Sequence, residues 1–313
     1  MTEGPVVLVK LVGFRAGNRE DTGKDIAVIG GTVMVLLGDS GSSADTAMSI
    51  LSGRGGGTGI SARVGKSHVD PASRQARTIL GYVSPKADFP PGVTPRSHLR
   101  LVSAAQGLNR KRLREVTEEL LGWCSLAPSA DLPARNLDSR GRFSLSLASA
   151  LVANPEVLLM EGPVPHGMLS RLEDLRSSGR AIILRALEIG QIPPSAGRVA
   201  LCDADGIAAI VRRTDLEVAC RNHLRVEVRF YPSLPRQVLE EMPGITGLVS
   251  TEEGFSFRHQ SASVALTHLV SISRANARSI VGLSIHPPPT DVLLSYFTDL
   301  EQQGELFDES VTE

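Results

Sequence analysis

The residues best placed to do chemistry lie in the stretch Val33-Met34-Val35-Leu36-Leu37-Gly38-Asp39-Ser40-Gly41-Ser42-Ser43-Ala44-Asp45-Thr46. An apolar run enters a Gly/Ser turn, and the turn enters a helix-forming segment. This is the layout of a phosphate-binding loop. In the pattern GxxxxGK[ST], backbone N–H groups cradle phosphates, the lysine neutralises their charge and the hydroxyl binds Mg²⁺. Gly38 fills the first position, Ser43 that of the second glycine, Ala44 that of the lysine and Asp45 that of the hydroxyl. Gly38, Gly41, Ser42, Ser43 and Thr46 are the candidate nucleotide contacts, because N–H groups at a helix N-terminus favour anions. The missing lysine and the acidic Asp39 and Asp45 argue against such binding. Many strand–turn–helix units begin with Gly and Ser, so the loop gains meaning only from the order of the downstream segments.

The elements around the loop alternate. Val6–Val12, Ala27–Ile29 and Thr32–Leu37 read as strands, and Asp45–Leu51 as the helix after the loop. Ser52–Gly59 is Gly-rich, like a second cradle, but it follows a helix and reads better as a helix-ending turn. Ile79–Ser84 is a strand, Pro85–Pro95 a proline-rich loop, and Arg96–Gln106 and Lys111–Trp123 amphipathic helices. Ser144–Ala153 is a small-residue helix ended by Pro155. Strands at Val157–Met160, Ala181–Leu184 and Val199–Asp203 bracket a helix at Leu169–Ser177. This alternation predicts a largely parallel sheet covered on both faces. After about Arg221 the order becomes β-α-β-β-α-β: Leu224–Phe230, Leu234–Glu241, Thr246–Thr251, Gly254–Arg258, Val264–Ser273 and Ser279–His286. That order is the ferredoxin-like unit. Asp291–Gln302 reads as a last helix.

Composition narrows the function classes. With 33 basic and 34 acidic residues among 313, binding to nucleic acid through bulk charge is not expected. Cys124, Cys202 and Cys220 show no metal-ligand spacing and no disulfide framework, which fits a reducing cytoplasm. No signal peptide is read at the N-terminus, and no apolar run approaches the ~20 residues of a membrane span. His166, between two prolines, reads as a loop residue rather than a base near Glu161. His98, His223, His259, His268 and His286 show no mutual spacing that suggests a site.

The co-linear order of segments in residues 1–215 resembles an ABC transporter ATPase subunit. The clearest match runs from Leu137-Asp138-Ser139-Arg140-Gly141 through Ala150-Leu151-Val152-Ala153-Asn154-Pro155 to Val157-Leu158-Leu159-Met160-Glu161-Gly162-Pro163. In the family, a signature LSGGQ opens a helix ending ALxxxP, followed by four apolar residues and Asp-Glu-Pro. Thr78-Ile79-Leu80-Gly81-Tyr82-Val83-Ser84-Pro85 is similar to the family's IGYxPQ segment, and Gly206 to its DxGxI turn. Residues 223–300 are similar to the small C-terminal domain of drug-, antibiotic- and gliding-type exporter ATPases.

The resemblance implies a P-loop NTPase-like ABC ATPase domain over residues 1–218. A small α+β ferredoxin-like domain over 223–302 and an acidic tail over 303–313 would follow. It implies pairing with an ATPase-like subunit, as hetero- or homodimer, and docking on a membrane permease. The protein would then be cytoplasmic and peripheral at the inner face of the membrane, with no direct insertion and no nucleic acid. Several residues depart from the family pattern. Ala44 replaces the loop lysine, and Pro85 the glutamine. Asp138, Ser139 and Arg140 replace the signature's serine and glycines. Glu161 replaces the Mg²⁺-binding aspartate, Gly162 the general base and Leu187 the switch histidine. Phosphoryl transfer needs positioning and charge stabilisation by these groups. The expectation is therefore a structural or regulatory partner in a membrane export or motility complex, not an enzyme. It would have no catalytic residues, no metal site and no cofactor, ATP with Mg²⁺ being the one candidate; Phe14 could stack on an adenine but reads better as a core or surface residue. A soluble scaffold outside transport, and an altered nucleotide hydrolase using Glu161, are the competing readings.

Overall fold

The computed structural model of the protein describes residues 6–13, 24–56, 60–84 and 88–303. The chain divides into two compact units between Ile210 and Val211. The first begins with β1 (Val7–Val12), β2 (Ile26–Ile29), β3 (Val33–Leu37), α1 (Ser43–Leu51), β4 (Ser61–Val64) and β5 (Leu80–Val83). Helices α2 (Pro95–Ala105), α3 (Arg110–Trp123) and α4 (Ser139–Leu151) follow. Then come β6 (Val157–Glu161), α5 (Leu169–Ser177), β7 (Ala181–Ala186), β8 (Arg198–Cys202) and β9 (Ile207–Arg212).

Six of these strands form one sheet in the order β5-β6-β7-β3-β8-β9. The β5–β6, β6–β7, β7–β3 and β3–β8 pairs are parallel. Near-continuous apolar runs such as Val33–Leu37 and Val157–Met160 suit strands buried on both faces, and every residue of β3 is buried. Register then lines up the strand ends. Arg185 of β7 stands between Leu36 of β3 and Glu161 of β6, and Leu37 pairs with Leu201 of β8. The loops after β3, β6, β7 and β8 therefore leave from one edge, the place where open α/β sheets hold ligands.

A second, antiparallel sheet has the order β2-β1-β4. Helix α1 joins the two sheets in one core: Ala44, Ala47, Met48 and Leu51 pack with Leu8 and Leu11 from one sheet and Leu36, Leu159 and Ile183 from the other. Helix α4 packs on β5, and α2 packs on α3 and α4.

In the second unit, α6 (Arg213–Asn222) precedes β10 (Leu224–Tyr231), α7 (Arg236–Glu240), β11 (Ile245–Ser250), β12 (Phe255–His259), α8 (Ala262–Ala275), β13 (Ser279–His286) and α9 (Thr290–Gln302). Its sheet is antiparallel throughout, in the order β11-β12-β10-β13. Val226, Val228 and Phe230, spaced by two on β10, turn inward to meet Phe257, Leu239 and Leu269. No helix among the described residues is long and apolar enough to cross a membrane.

Several elements differ from expectation. Helix α4 begins at Ser139, not Ser144, because Asp138 caps it: the Asp138 Oδ1 accepts from the Gly141 N–H at 2.7 Å. Helix α1 likewise begins at Ser43, two residues early. Strands β4 and β9 and helix α6 had no counterpart in the sequence reading. Residue exposure alternates along both strands, buried with exposed in β4 and mostly buried with half-buried in β9.

Candidate functional site

The loop after β3 closes tightly on its own backbone. The Gly38 N–H donates to the Ala186 carbonyl at 3.2 Å. A Cβ at Gly38 would lie 2.5 Å from the Cys202 carbonyl oxygen and 2.6 Å from Ser42 Oγ, so only glycine lets the chain pass β8 here. The Ser42 N–H donates to the Asp39 carbonyl at 3.1 Å. Ser42 is the N-cap of α1, yet its buried Oγ has no hydrogen-bond partner among the described residues. Ser43 is turned inward: its N–H donates to the Asp203 carbonyl at 2.7 Å and its Oγ to the Gly206 carbonyl at 2.6 Å. These bonds tie the loop to the turn after β8. Gly38, Gly41, Ser42 and Ser43 thus share one turn, while Thr46 is exposed one step along the helix.

Gly41 is the residue of this set whose N–H meets an anion. It donates to Asp45 Oδ2 at 2.7 Å, and Asp45 Oδ1 accepts from Arg185 Nε at 2.7 Å. Arg185 is 4% exposed, in a strand buried along its whole length. Its guanidinium also donates to the carbonyls of Gly38 at 2.7 Å, Asp39 at 2.8 Å and Ala186. A planar fork of donors suits such a buried cluster of acceptors. The side chain of Asp45 is 49% exposed. One loop N–H and one guanidinium therefore hold a carboxylate. Phosphate oxygens take the same partners, so these residues fit a phosphate group.

A second charge cluster lies at the end of β6, where Glu161 sits beside Arg185 in register. The Tyr82 hydroxyl donates to Glu161 Oε1, and Ser84 Oγ donates to Oε2 at 3.3 Å. An Arg54 nitrogen is 3.8 Å from Glu161 Oε1, and its guanidinium lies 4.2 Å from the centroid of the Tyr82 ring. Burial, and then the bond to Glu161, push the Tyr82 phenol up to about 12. Glu161 keeps a side-chain exposure of 35%. A strand-end carboxylate of this kind, oriented by two hydroxyls, fits a ligand to Mg²⁺. Among the described residues, no group of three or more His, Cys, Asp or Glu side chains could hold a metal ion by itself.

Other replaced positions have local explanations. Gly162 takes φ +75°, a backbone requirement at that position, and its N–H donates to the Arg185 carbonyl at 3.1 Å. Asp138 is a helix cap, as described. The Leu187 side chain is exposed, and its N–H donates to Gln191 Oε1 at 2.9 Å. His166 lies in a short 3₁₀ turn, His166–Met168. The Gly-rich segment after α1 behaves as a helix end: the Arg54 and Gly55 N–H groups both donate to the Ser49 carbonyl at 3.0 Å. Phe14 and Pro85 lie outside the described residues.

Two cations at this edge escaped the sequence reading, Arg185 and Arg54. The first had a signal: an arginine that continues an apolar strand run must bury its charge, and a buried charge needs partners. The second had none, since a turn residue gives no hint of the side chain it will reach.

Comparison with known proteins places this geometry. No protein-family profile matches the chain. The Nod factor export ATP-binding protein I of Cupriavidus metallidurans is 27% identical over 167 residues, covering 51% of this chain and 55% of that protein. Its namesake in Ralstonia nicotianae is 26% identical over 191 residues, covering 58% and 60%, and that of Burkholderia thailandensis 30% identical over 156 residues, covering 48% and 51%. The chain spans about half the length of the curated relatives it matches. Among solved structures, cbiO1 of Clostridium perfringens, part of the ABC transporter complex cbiONQ, superposes with a TM-score of 0.55 at 17% identity, covering 68% of this chain and 91% of that one. An ATP-binding subunit of an ABC transporter gives a TM-score of 0.56 at 16% identity, covering 67% and 92%.

The resemblance to ABC transporter ATP-binding subunits is borne out, and the fold is that of an ABC ATPase domain. The expectation that the chain is not an enzyme is corrected. The relatives are named as export ATP-binding proteins, which runs against that expectation. That expectation rested on side chains missing at fixed motif positions. It gave no weight to cations that reach the same edge from β7 and from the turn after α1.

Proposed function

We propose that this chain is an ATP-binding ATPase subunit of an ABC-type exporter. The observation that supports the reading most is the match of about half of the chain to relatives named as export ATP-binding proteins. In this reading residues 1–218 form the nucleotide domain and residues 223–302 a ferredoxin-like appendage. Nucleotide meets the carboxyl edge of the six-stranded sheet, with the phosphates at the turn containing Gly38, Gly41, Ser42 and Ser43 and close to Thr46. Bound with Mg²⁺, ATP supplies the phosphoanhydride whose cleavage powers export.

The chain's own residues divide the work. Arg185 brings a buried positive charge to the loop, where the pattern's lysine is Ala44. Gly41 offers a backbone donor. Glu161 would be the carboxylate that holds Mg²⁺, itself held in orientation by Tyr82 and Ser84. Ser43 locks the loop to the turn after β8 and so fixes where these groups point. The partners are a second ATPase-type subunit and a membrane permease, and the chain works at the cytoplasmic face of the membrane through that permease.

The test is to tag the chain in its native cell, solubilise membranes gently, and measure both what copurifies and phosphate release with Mg²⁺ and ATP. Recovery with a permease, and phosphate release that falls in Glu161→Ala, supports the proposal. Recovery with soluble proteins alone overturns the transport assignment. Phosphate release by the recovered complex that is indifferent to Glu161→Ala overturns the role given to that carboxylate.

A further inference from the structure

The Asp45–Arg185 pair carries a consequence for how nucleotide is admitted, and it rests on the nucleotide-binding reading. We propose that the Asp45 carboxylate is a resident competitor: it fills the phosphate subsite made by the Gly41 N–H and the Arg185 guanidinium, and a nucleotide phosphate binds there by displacing it.

The two members of the pair differ in mobility. Arg185 is 4% exposed and is held by the carbonyls of Gly38, Asp39 and Ala186 as well as by Asp45. It stays in place when the carboxylate leaves. Asp45 is on the first turn of α1 with its side chain 49% exposed, so a rotamer change carries it into water without disturbing the core. Its two oxygens make the two contacts that an incoming phosphate would need, 2.7 Å to Gly41 N and 2.7 Å to Arg185 Nε. A second observation marks the same turn: Ser42, 7% exposed, has a buried Oγ without a hydrogen-bond partner among the described residues. Buried hydroxyls are normally satisfied, so the loop in this form leaves a polar atom that a rearranged form can use.

The charges give the direction. With Asp45 in place, the buried guanidinium is neutralised locally and a polyphosphate gains little from it. Asp45 on a neighbouring rotamer still repels the phosphates, and the exposed Asp39 adds to this. Replacing Asp45 by a neutral residue removes both the competitor and the repulsion. Unit charges a few ångströms apart at a partly buried site interact strongly enough that the gain is about tenfold or more in affinity.

The experiment titrates the full chain and its Asp45→Ala, Asp45→Asn and Asp45→Glu variants with tripolyphosphate and, separately, with Mg²⁺ and ATP, by calorimetry. Circular dichroism checks folding, and the Gly41 amide signal is followed by NMR. The expected result is at least about tenfold tighter tripolyphosphate and ATP binding for Asp45→Ala and Asp45→Asn, wild-type affinity for Asp45→Glu, and a Gly41 amide shift on ligand addition. Wild-type binding of ATP that is unchanged or weakened in folded Asp45→Ala overturns the proposal and leaves the nucleotide reading intact. Tighter tripolyphosphate binding without ATP binding upholds the displaced-anion site and overturns the nucleotide reading. No binding of either probe to any folded variant overturns both.

Discussion

Replacing Arg185 by Met keeps an unbranched stem but shortens the side chain and removes its charge and donors, and the structure allows the cost to be worked out. The Gly38 carbonyl loses a charged donor at 2.7 Å in a buried position, worth about 1–3 kcal/mol. The Asp39 and Ala186 carbonyls each keep a backbone partner, from Ser42 at 3.1 Å and Gly38 at 3.2 Å, so each loses about 0.5–1 kcal/mol. Asp45 is half exposed and can turn to water, so its ion pair adds at most about 1 kcal/mol. Against these losses, the variant no longer buries a guanidinium, which returns several kcal/mol of desolvation. Losses and returned desolvation nearly cancel, so the net expectation is a stability change within about 2 kcal/mol of zero, with a loosened loop. Urea unfolding measures the first, provided the slope with denaturant is unchanged. Hydrogen exchange at Gly41 measures the second, since its N–H partner Asp45 has lost its anchor. A variant whose Gly41 amide exchanges as slowly as in wild type would refute the view that Arg185 shapes the loop.

Other outcomes rest on particular contacts. Gly38→Ala places a Cβ 2.5 Å from the Cys202 carbonyl and should cost about 1–3 kcal/mol by overpacking, read by the shift in thermal unfolding. Asp138→Ala removes the cap of α4 and should cost about 1 kcal/mol, while Asp138→Ser should cost much less in the same assay. Tyr82 should ionise near 12, well above an ordinary phenol. An acid whose folded pKa is raised stabilises the fold fully below its unfolded pKa, and that contribution is lost as pH rises from about 10 through about 12. Absorbance titration of wild type against Tyr82→Phe should show one late-titrating phenol removed, and stability in Tyr82→Phe should fall less steeply over that range.

Much of the first unit could be read from the chain because its parallel strands are solid apolar runs. Val33–Leu37 and Val157–Met160 have no polar face to present, so they belong in the middle of a covered sheet, and both are there. The helix over Leu169–Ser177 and the strand over Ser279–His286 also lie where their periodicity places them. Strands β4 and β9 escaped notice because four to six residues of alternating burial resemble a loop. The start of α4 was misplaced because Ser139, Arg140, Gly141 and Arg142 look like a polar turn, and only the Asp138 cap shows that they are helical.

The site was legible in position and only partly in chemistry. The turn at Gly38–Ser43 announced itself by its Gly and Ser residues, and it does sit at the carboxyl edge of the sheet. Its electrostatics depend on Arg185, 140 residues from Asp45 in sequence, and on Arg54, which reaches Glu161 from a turn. Pairings of that kind are set by strand register and turn geometry, which motif spacing does not encode. The reading of Asp45 as an added negative charge was correct about the residue and blind to its partner.

The most direct test of the central claim is equilibrium binding of ATP with Mg²⁺ to the folded, full-length chain, measured by calorimetry with tripolyphosphate as competitor. The account predicts saturable binding that tripolyphosphate displaces and that Arg185→Met abolishes or greatly weakens. A folded wild-type chain that takes up no ATP, or that binds it with no sensitivity to tripolyphosphate or Arg185, would contradict it.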